Sequence, residues 1–238
     1  MPNIGFSTGS LSLGRFEAAL QMLLGKNIAA VELSALRAAE LPALAAAVDR
    51  LRLEQYSYVS VHAPSNWDTL TEAEGIEFLA VFAAKNWPIV LHPDCIENYG
   101  AWRVFGSLLL IENMDKRKLV GRTAAELETV FDQLPEAGLC FDIGHAHQVD
   151  PTMAEAFHIL RQFGRRVTQV HMSHVDSRNA HVGLRWASIQ AFQKVAHLIP
   201  ENIPIILETP VAEGGIDTEM EMAREALTVP TSDLVVAR

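Results

Sequence analysis

Two stretches, Leu108-Leu109-Leu110-Ile111-Glu112-Asn113 and Leu139-Cys140-Phe141-Asp142-Ile143-Gly144-His145, decide how the chain is read. Each is a short apolar run that ends on a carboxylate. A strand buried on both faces reads this way, whereas a half-solvated antiparallel strand alternates apolar with polar residues. Between the two runs, Leu127, Val130, Phe131 and Leu134 recur at helical spacing. Thr123 stands three residues before Glu126, the pattern of a capping box, and Pro135 and Gly138 punctuate the return to the second run. Strand, helix and strand in this order make a βαβ unit.

The pattern extends in both directions. Similar runs occur at Ile4 to Ser7, Ala29 to Leu33, Tyr58 to His62, Ile89 to His92, Val167 to His171 and Ile205 to Glu208, which makes eight candidate strands. Helical spacing returns between them, at Phe16, Leu20, Leu23 and Leu24 and at Ile189, Phe192, Val195, Ala196 and Ile199, while Asp150-Pro151 reads as a helix start. Strict alternation of strand and helix argues for right-handed crossovers and a parallel sheet. Eight units in 238 residues leave about 30 residues each, in keeping with the roughly 250 residues of a closed β/α barrel. An open doubly wound sheet would carry a G-x-G-x-x-G loop after an early strand, and Gly5-Phe6-Ser7-Thr8-Gly9-Ser10 lacks that spacing. No linker or low-complexity tract interrupts the alternation, so the expected fold is a single (β/α)8 barrel domain, a TIM barrel, over residues 1–238.

Composition narrows the function. A chain that is 49% hydrophobic and 20% charged is neither disordered nor fibrous. Lys and Arg number 19 against 29 Asp and Glu, and the net charge of −10 disfavours nucleic acid and anionic membranes as general partners without excluding a local basic patch. Lys116, Arg117, Lys118, Arg122, Arg178 and Arg185 could form such a rim or hold one sugar phosphate, although solvated loops explain them more simply. Two cysteines are too few for a disulfide framework, and Cys140 reads as a small core residue rather than a nucleophile. The start, Met1-Pro2-Asn3-Ile4-Gly5-Phe6-Ser7, lacks the features of a secretory signal, so a cytoplasmic location is expected. No membrane span is expected, because even the run from Leu41 to Leu53 is broken by Pro42, Asp49, Arg50 and Arg52.

In a β/α barrel the active site lies at the C-terminal ends of the strands. Six consecutive candidate strands end in His62, His92, Glu112, Asp142, His171 and Glu208. Imidazole nitrogens with carboxylate oxygens suit zinc, manganese or iron, whereas calcium takes oxygen alone. One such residue is ordinarily a satisfied polar group, but six at one barrel mouth would repel and lose hydration unless a divalent cation offset their charge. His145, His147, His174 and His181 also fall in the loops just after strands, while His158 and His197 fall in helical stretches and read as structural or exposed. Trp67, Trp102 and Trp186 follow strands and read equally as pocket walls or as core.

His62-Ala63-Pro64, His92-Pro93, Glu112-Asn113, Asp142-Ile143-Gly144-His145, His171 and Glu208-Thr209-Pro210, in this order and spacing, resemble the xylose-isomerase-like barrel superfamily. That superfamily includes sugar phosphate isomerases and epimerases and the endonuclease IV family of abasic-site nucleases. In its isomerase branch the resemblance implies one divalent ion, commonly manganese, on Glu112, Asp142, His171 and Glu208. The two glutamates would also move the proton, with His145 as a substrate contact. In its nuclease branch it implies three zinc ions that recruit His62, His92, His145 and an Asp-x-His pair. Here that pair is Asn179-Ala180-His181, so His181 matches while a neutral amide replaces the carboxylate. His174 also stands where both branches more often have an aspartate.

The expected activity is therefore a divalent-metal-dependent isomerase or epimerase of a small sugar or sugar phosphate. Its catalytic side chains are Glu112, Glu208 and His145, its cofactor manganese or zinc, and further ions are allowed by His62, His92, His145 and His181. The alternatives are a phosphodiesterase with two or three zinc ions and a barrel that binds a ligand without catalysis.

Overall fold

A computed structural model of the chain describes residues 3–228. Residues 1–2 and 229–238, part of the single domain expected over 1–238, lie outside the described residues. The barrel strands are β1 (Ile4–Ser7), β2 (Ala30–Ser34), β3 (Tyr58–His62), β4 (Ile89–Leu91), β5 (Leu109–Glu112), β6 (Gly138–Asp142), β7 (Val167–Met172) and, after a two-stranded hairpin of β8 (His174–Val175) and β9 (His181–Val182), β10 (Ile205–Leu207). They pair in parallel in the order β1-β10-β7-β6-β5-β4-β3-β2, and β1 pairs with both β10 and β2 to close the cylinder. The eight expected barrel strands are all present. Their ends differ by a residue or two, so that His92 and Glu208 stand just past their strands rather than on them.

Helices α1 (Thr8–Ser12), α2 (Phe16–Leu23), α3 (Leu41–Ala47), α4 (Glu72–Ala83), α5 (Tyr99–Trp102), α6 (Ala124–Gln133), α7 (Ile143–Val149), α8 (Ala154–Phe163), α9 (Trp186–Ala196) and α10 (Ile216–Ala226) lie along the connections. In α6 the buried residues Leu127, Val130 and Phe131 form the face read from the sequence. Thr123 caps it by accepting from the Glu126 N–H at 3.2 Å. The capping box is only half made, because the Glu126 carboxylate turns to Arg122. Asp150 accepts from the N–H groups of Thr152 and Glu155, so the start of α8 is prepared before Ala154, where the helix begins. Leu24, read as part of the face of α2, is exposed.

The main apolar core lies between the outside of the barrel and the helices. Inside the barrel, alternate residues face the axis, and the apolar side chains there include the cluster of Val90, Leu110 and Cys140 together with the fully buried Ala30 and Ile206. Many of the other buried residues on the axis face are polar: Glu32, Ser60, Gln169, then His62, Glu112, Asp142 and His171. The barrel interior thus holds polar side chains that must satisfy one another. Cys95 and Cys140 are free and buried, and burial raises the Cys140 thiol well above its usual range, consistent with a packing role.

Closure requires backbones to approach closely at β1. A Cβ on Gly5 would lie 1.8 Å from the Ala30 carbonyl oxygen of the adjacent strand, and backbone cannot yield as a side chain can. Gly5→Ala is expected to destabilise the fold by about 1–3 kcal/mol, read as a lowered midpoint in chemical denaturation. An unchanged midpoint would contradict the close approach.

Candidate metal centre

The strand ends bring together the residues picked out from the sequence. Glu112, Asp142, His171 and Glu208 each offer one ligand atom, and these atoms lie within 4.8 Å of one another. Two further groups share members with it: His62, His92 and Glu112, and Asp142, His145 and His181. Glu112 has no exposure to water, and its two oxygens divide the site between them. Oε2 is 3.1 Å from His62 Nε2 and 3.2 Å from His92 Nε2, while Oε1 is 3.3 Å from His145 Nδ1 and 3.4 Å from His171 Nδ1.

Local structure aims these groups. Asn113, next to Glu112, donates to the Asp142 carbonyl and accepts from the Asp142 N–H, both at 2.8 Å, and so ties the end of β5 to the end of β6. Asp142 caps α7, its Oδ1 accepting from the His145 N–H at 2.7 Å, which leaves Oδ2 for the cluster. His62 Nδ1 lies 2.7 Å from the Ala63 carbonyl, and His145 Nδ1 lies 3.0 Å from that of Asn113. A carbonyl only accepts, so those nitrogens carry protons and Nε2 is the nitrogen each ring could offer a cation, in His62 by giving up its contact with Glu112 Oε2.

The chemistry of these groups fits a cation. Glu112 Oε1, Asp142 Oδ2 and His171 Nδ1 are buried atoms without a hydrogen-bond partner, and all three belong to the four-residue group. Unpaired buried polar atoms cost about 1–3 kcal/mol each, and a divalent ion would satisfy them together. Without one, protons serve as the countercharge. Burial opposes charge on His62, but its hydrogen bond to Glu112 and the carboxylates of Glu32, Glu112 and Glu208 hold the imidazole up at about 9. Burial likewise opposes charge on His145, and Asp142 and Glu112 hold it up at about 10. Burial pushes the Asp142 carboxyl up to about 6, with Glu112 and Glu208 adding to the effect. His181 is pushed down to about 4 by burial and by the neighbouring His145 charge.

Two residues read from the sequence stay apart from these groups. Asn179, at φ 64° in the hairpin turn, accepts from the Gln148 side chain. His174, half-buried on β8, has its ring 6.5 Å from that of His147. The hairpin itself, which carries His181, was not legible as strands. Glu32, inside the apolar run from Ala29 to Leu33 and not among the strand-end residues, lies fully buried with Oε2 3.0 Å from His171 Nε2. The available signal was a charged residue inside an otherwise apolar strand.

Above the cluster opens a cavity of about 630 Å³ whose lining includes His62, His92, Glu112, His145, His181 and Glu208. Ser7, Ser34, Ser65 and Asn66 line one part, and Arg117 and Lys118 another. Among the described residues, no tryptophan lines it. Trp102 is fully buried, Trp67 stacks against it and donates to the Cys95 carbonyl, and Trp186 is exposed. Four of the six loop cations are already paired: Arg117 with Asp115, Lys118 with Asp94, Arg122 with Glu126 and Arg178 with Asp176.

A family model described as the xylose isomerase-like TIM barrel matches residues 34–226. The chain belongs to that family. Its fold is shared with solved structures at low sequence identity. 3-Keto-D-glucoside 4-epimerase YcjR of E. coli aligns at 13% identity and TM-score 0.59 over 95% of this chain and 99% of its own. A candidate sugar phosphate isomerase/epimerase of Anabaena variabilis aligns at 13% and 0.58 over 93% and 88%. A Sinorhizobium meliloti protein aligns at 14% and 0.66 over 94% and 98%. No curated protein matches the chain in sequence. Among the described residues, no helix is long and apolar enough to cross a membrane.

Because His62 and His145 hold protons above neutral pH in the metal-free site, uptake of a divalent ion at pH 7.5 is expected to release protons, and affinity is expected to fall as pH is lowered. Calorimetric titration with zinc in two buffers of different ionisation enthalpy checks this. Binding heats independent of the buffer would contradict it.

Proposed function

We propose that this barrel, as one domain, is a divalent-metal-dependent isomerase or epimerase acting on a small sugar or sugar phosphate. The observation that supports it most directly is the convergence of Glu112, Asp142, His171 and Glu208, two of which, Glu112 and Glu208, line a cavity of about 630 Å³, within the roughly 300–1,000 Å³ usual for small-ligand sites. Two fold relatives are described as an epimerase and a candidate isomerase/epimerase of sugars, which favours the same reading. Glu112, Asp142, His171 and Glu208 would hold the ion, manganese or zinc. When bound, a divalent ion there polarises a substrate carbonyl and offsets the negative charge that develops as the adjacent C–H bond is ionised.

The two glutamates differ in what they can do. Glu112 is wholly buried, with both oxygens among imidazoles, so its part is to hold charge in place. Glu208 keeps 15% side-chain exposure and lines the cavity, which makes its carboxylate the group placed to take a proton from bound substrate. His145, on the same cavity wall, is the partner for a substrate oxygen. The paired loop cations and the net charge of −10 argue for a small molecule over a nucleic acid.

A second reading is hydrolysis of a phosphoester by two or three metal ions. It is favoured by the His62-His92-Glu112 and Asp142-His145-His181 groups, which share ligands with the first. Metal analysis of the purified protein separates the two. One ion per chain, with proton exchange from solvent into a ketose that falls at least about 100-fold in Glu208→Gln while metal is retained, is the expected result. Two or three ions with phosphoester cleavage would overturn it in favour of hydrolysis. Full metal loading without either activity would leave a binding barrel.

A further inference from the structure

We infer that Glu32 is a positioning residue that fixes the ring orientation of His171 and thereby sets the metal affinity of the four-residue group. The inference rests on the proposal that this group takes a metal ion. Glu32 lies on β2 and His171 on β7, two strands that are not neighbours in the barrel, so the carboxylate reaches across the axis. Its Oε2 lies 3.0 Å from His171 Nε2, 2.6 Å from Gln169 Nε2 and 3.2 Å from Ser60 Oγ, while Oε1 has no partner. Gln169 is held in turn by the Tyr58 hydroxyl, which donates to its Oε1 at 2.7 Å.

His171 has one nitrogen on each side of this arrangement. Nδ1 points into the metal group, 3.4 Å from Glu112 Oε1 and 3.5 Å from Glu208 Oε1, and has no hydrogen-bond partner. Nε2 faces Glu32 and also sits 2.8 Å from the Gln169 amide nitrogen. If Nε2 accepted from Gln169, the ring proton of a neutral imidazole would stand on Nδ1 and block ligation. A carboxylate accepts only, so Glu32 holds the proton on Nε2 and leaves the Nδ1 lone pair for a cation. A carboxylate behind a ligating imidazole also raises its basicity, and loss of such a partner typically weakens metal binding about 10- to 100-fold. This gives a role to a fully buried carboxylate that, among the described residues, belongs to no candidate ligand group.

The test uses protein with 15N-labelled histidine, in which the Nε2–H proton of His171 is assigned by its loss in His171→Asn. In metal-free wild-type protein this proton is expected to be downfield and protected from solvent exchange. Glu32→Gln keeps the shape and is expected to move the resonance upfield and weaken zinc binding about 10- to 100-fold. Ser60→Ala removes a different donor to the same oxygen, and is expected to leave the resonance in place and affinity within about 3-fold of wild type, which separates orientation of His171 from general loosening of the interior. An unchanged resonance and affinity in Glu32→Gln would overturn the inference, as would equal weakening in both variants. A wild-type protein that binds no metal, yet shows the resonance change in Glu32→Gln, would refute the metal reading while upholding the orientation of His171 by Glu32.

Discussion

A carboxylate cut off from water, Glu112, lies within about 3.5 Å of four imidazoles, and the arrangement of the barrel mouth follows from that. An isolated buried carboxylate loses several kcal/mol of hydration, so it persists only where positive charge or donors surround it. His62 and His92 lie on one oxygen and the protonated His145 near the other, which also faces the His171 ring, and each comes from a different strand end or the turn just after it. The barrel order of β3, β4, β5, β6 and β7 is what brings these sequence-distant rings to one carboxylate.

Holding polar groups inside a barrel has structural consequences. Beside the apolar Val90, Leu110, Cys140, Ala30 and Ile206, the interior holds a hydrogen-bonded set of Ser60, Gln169, Glu32 and Tyr58. Stability is carried instead by the continuous apolar shell between strands and helices, in which Phe6, Leu33, Phe82, Ile111, Phe141 and Phe192 are fully buried. Packing of the shell and polarity of the interior are separable because successive strand residues face opposite ways. A site can thus be assembled on one face of each strand without weakening the other.

The cavity above the cluster has its own electrostatics. Arg117 is committed to the buried Asp115 and Lys118 to Asp94, so the cations at the mouth bring their own countercharges. The uncompensated groups lie at and beneath the floor, where Glu112 lines the cavity and the fully buried Asp142 and His171 keep unpartnered atoms with it. A cation is therefore drawn to the floor rather than an anion to the rim, in keeping with a chain whose net charge is −10.

The barrel and the ends of its strands were legible from the sequence, because buried parallel strands are written as local apolar runs and their lengths leave little freedom in where they stop. The placement of His62, His92, Glu112, Asp142, His171 and Glu208 at one end of the barrel was legible for the same reason: in this architecture position along the strand determines which end of the barrel a residue occupies. The roles of Glu32 and Gln169 were not, since alternation along a strand can give the face of a polar residue but no sign of what stands across the barrel from it. The division of Glu112 between two pairs of imidazoles, the pairing of Arg117 and Lys118, and the burial of Trp102 also depended on contacts between residues far apart in the chain. Local periodicity carries no information about the partner of a side chain, and those partners were settled only when the sheet closed and β2 came to face β7 across the axis.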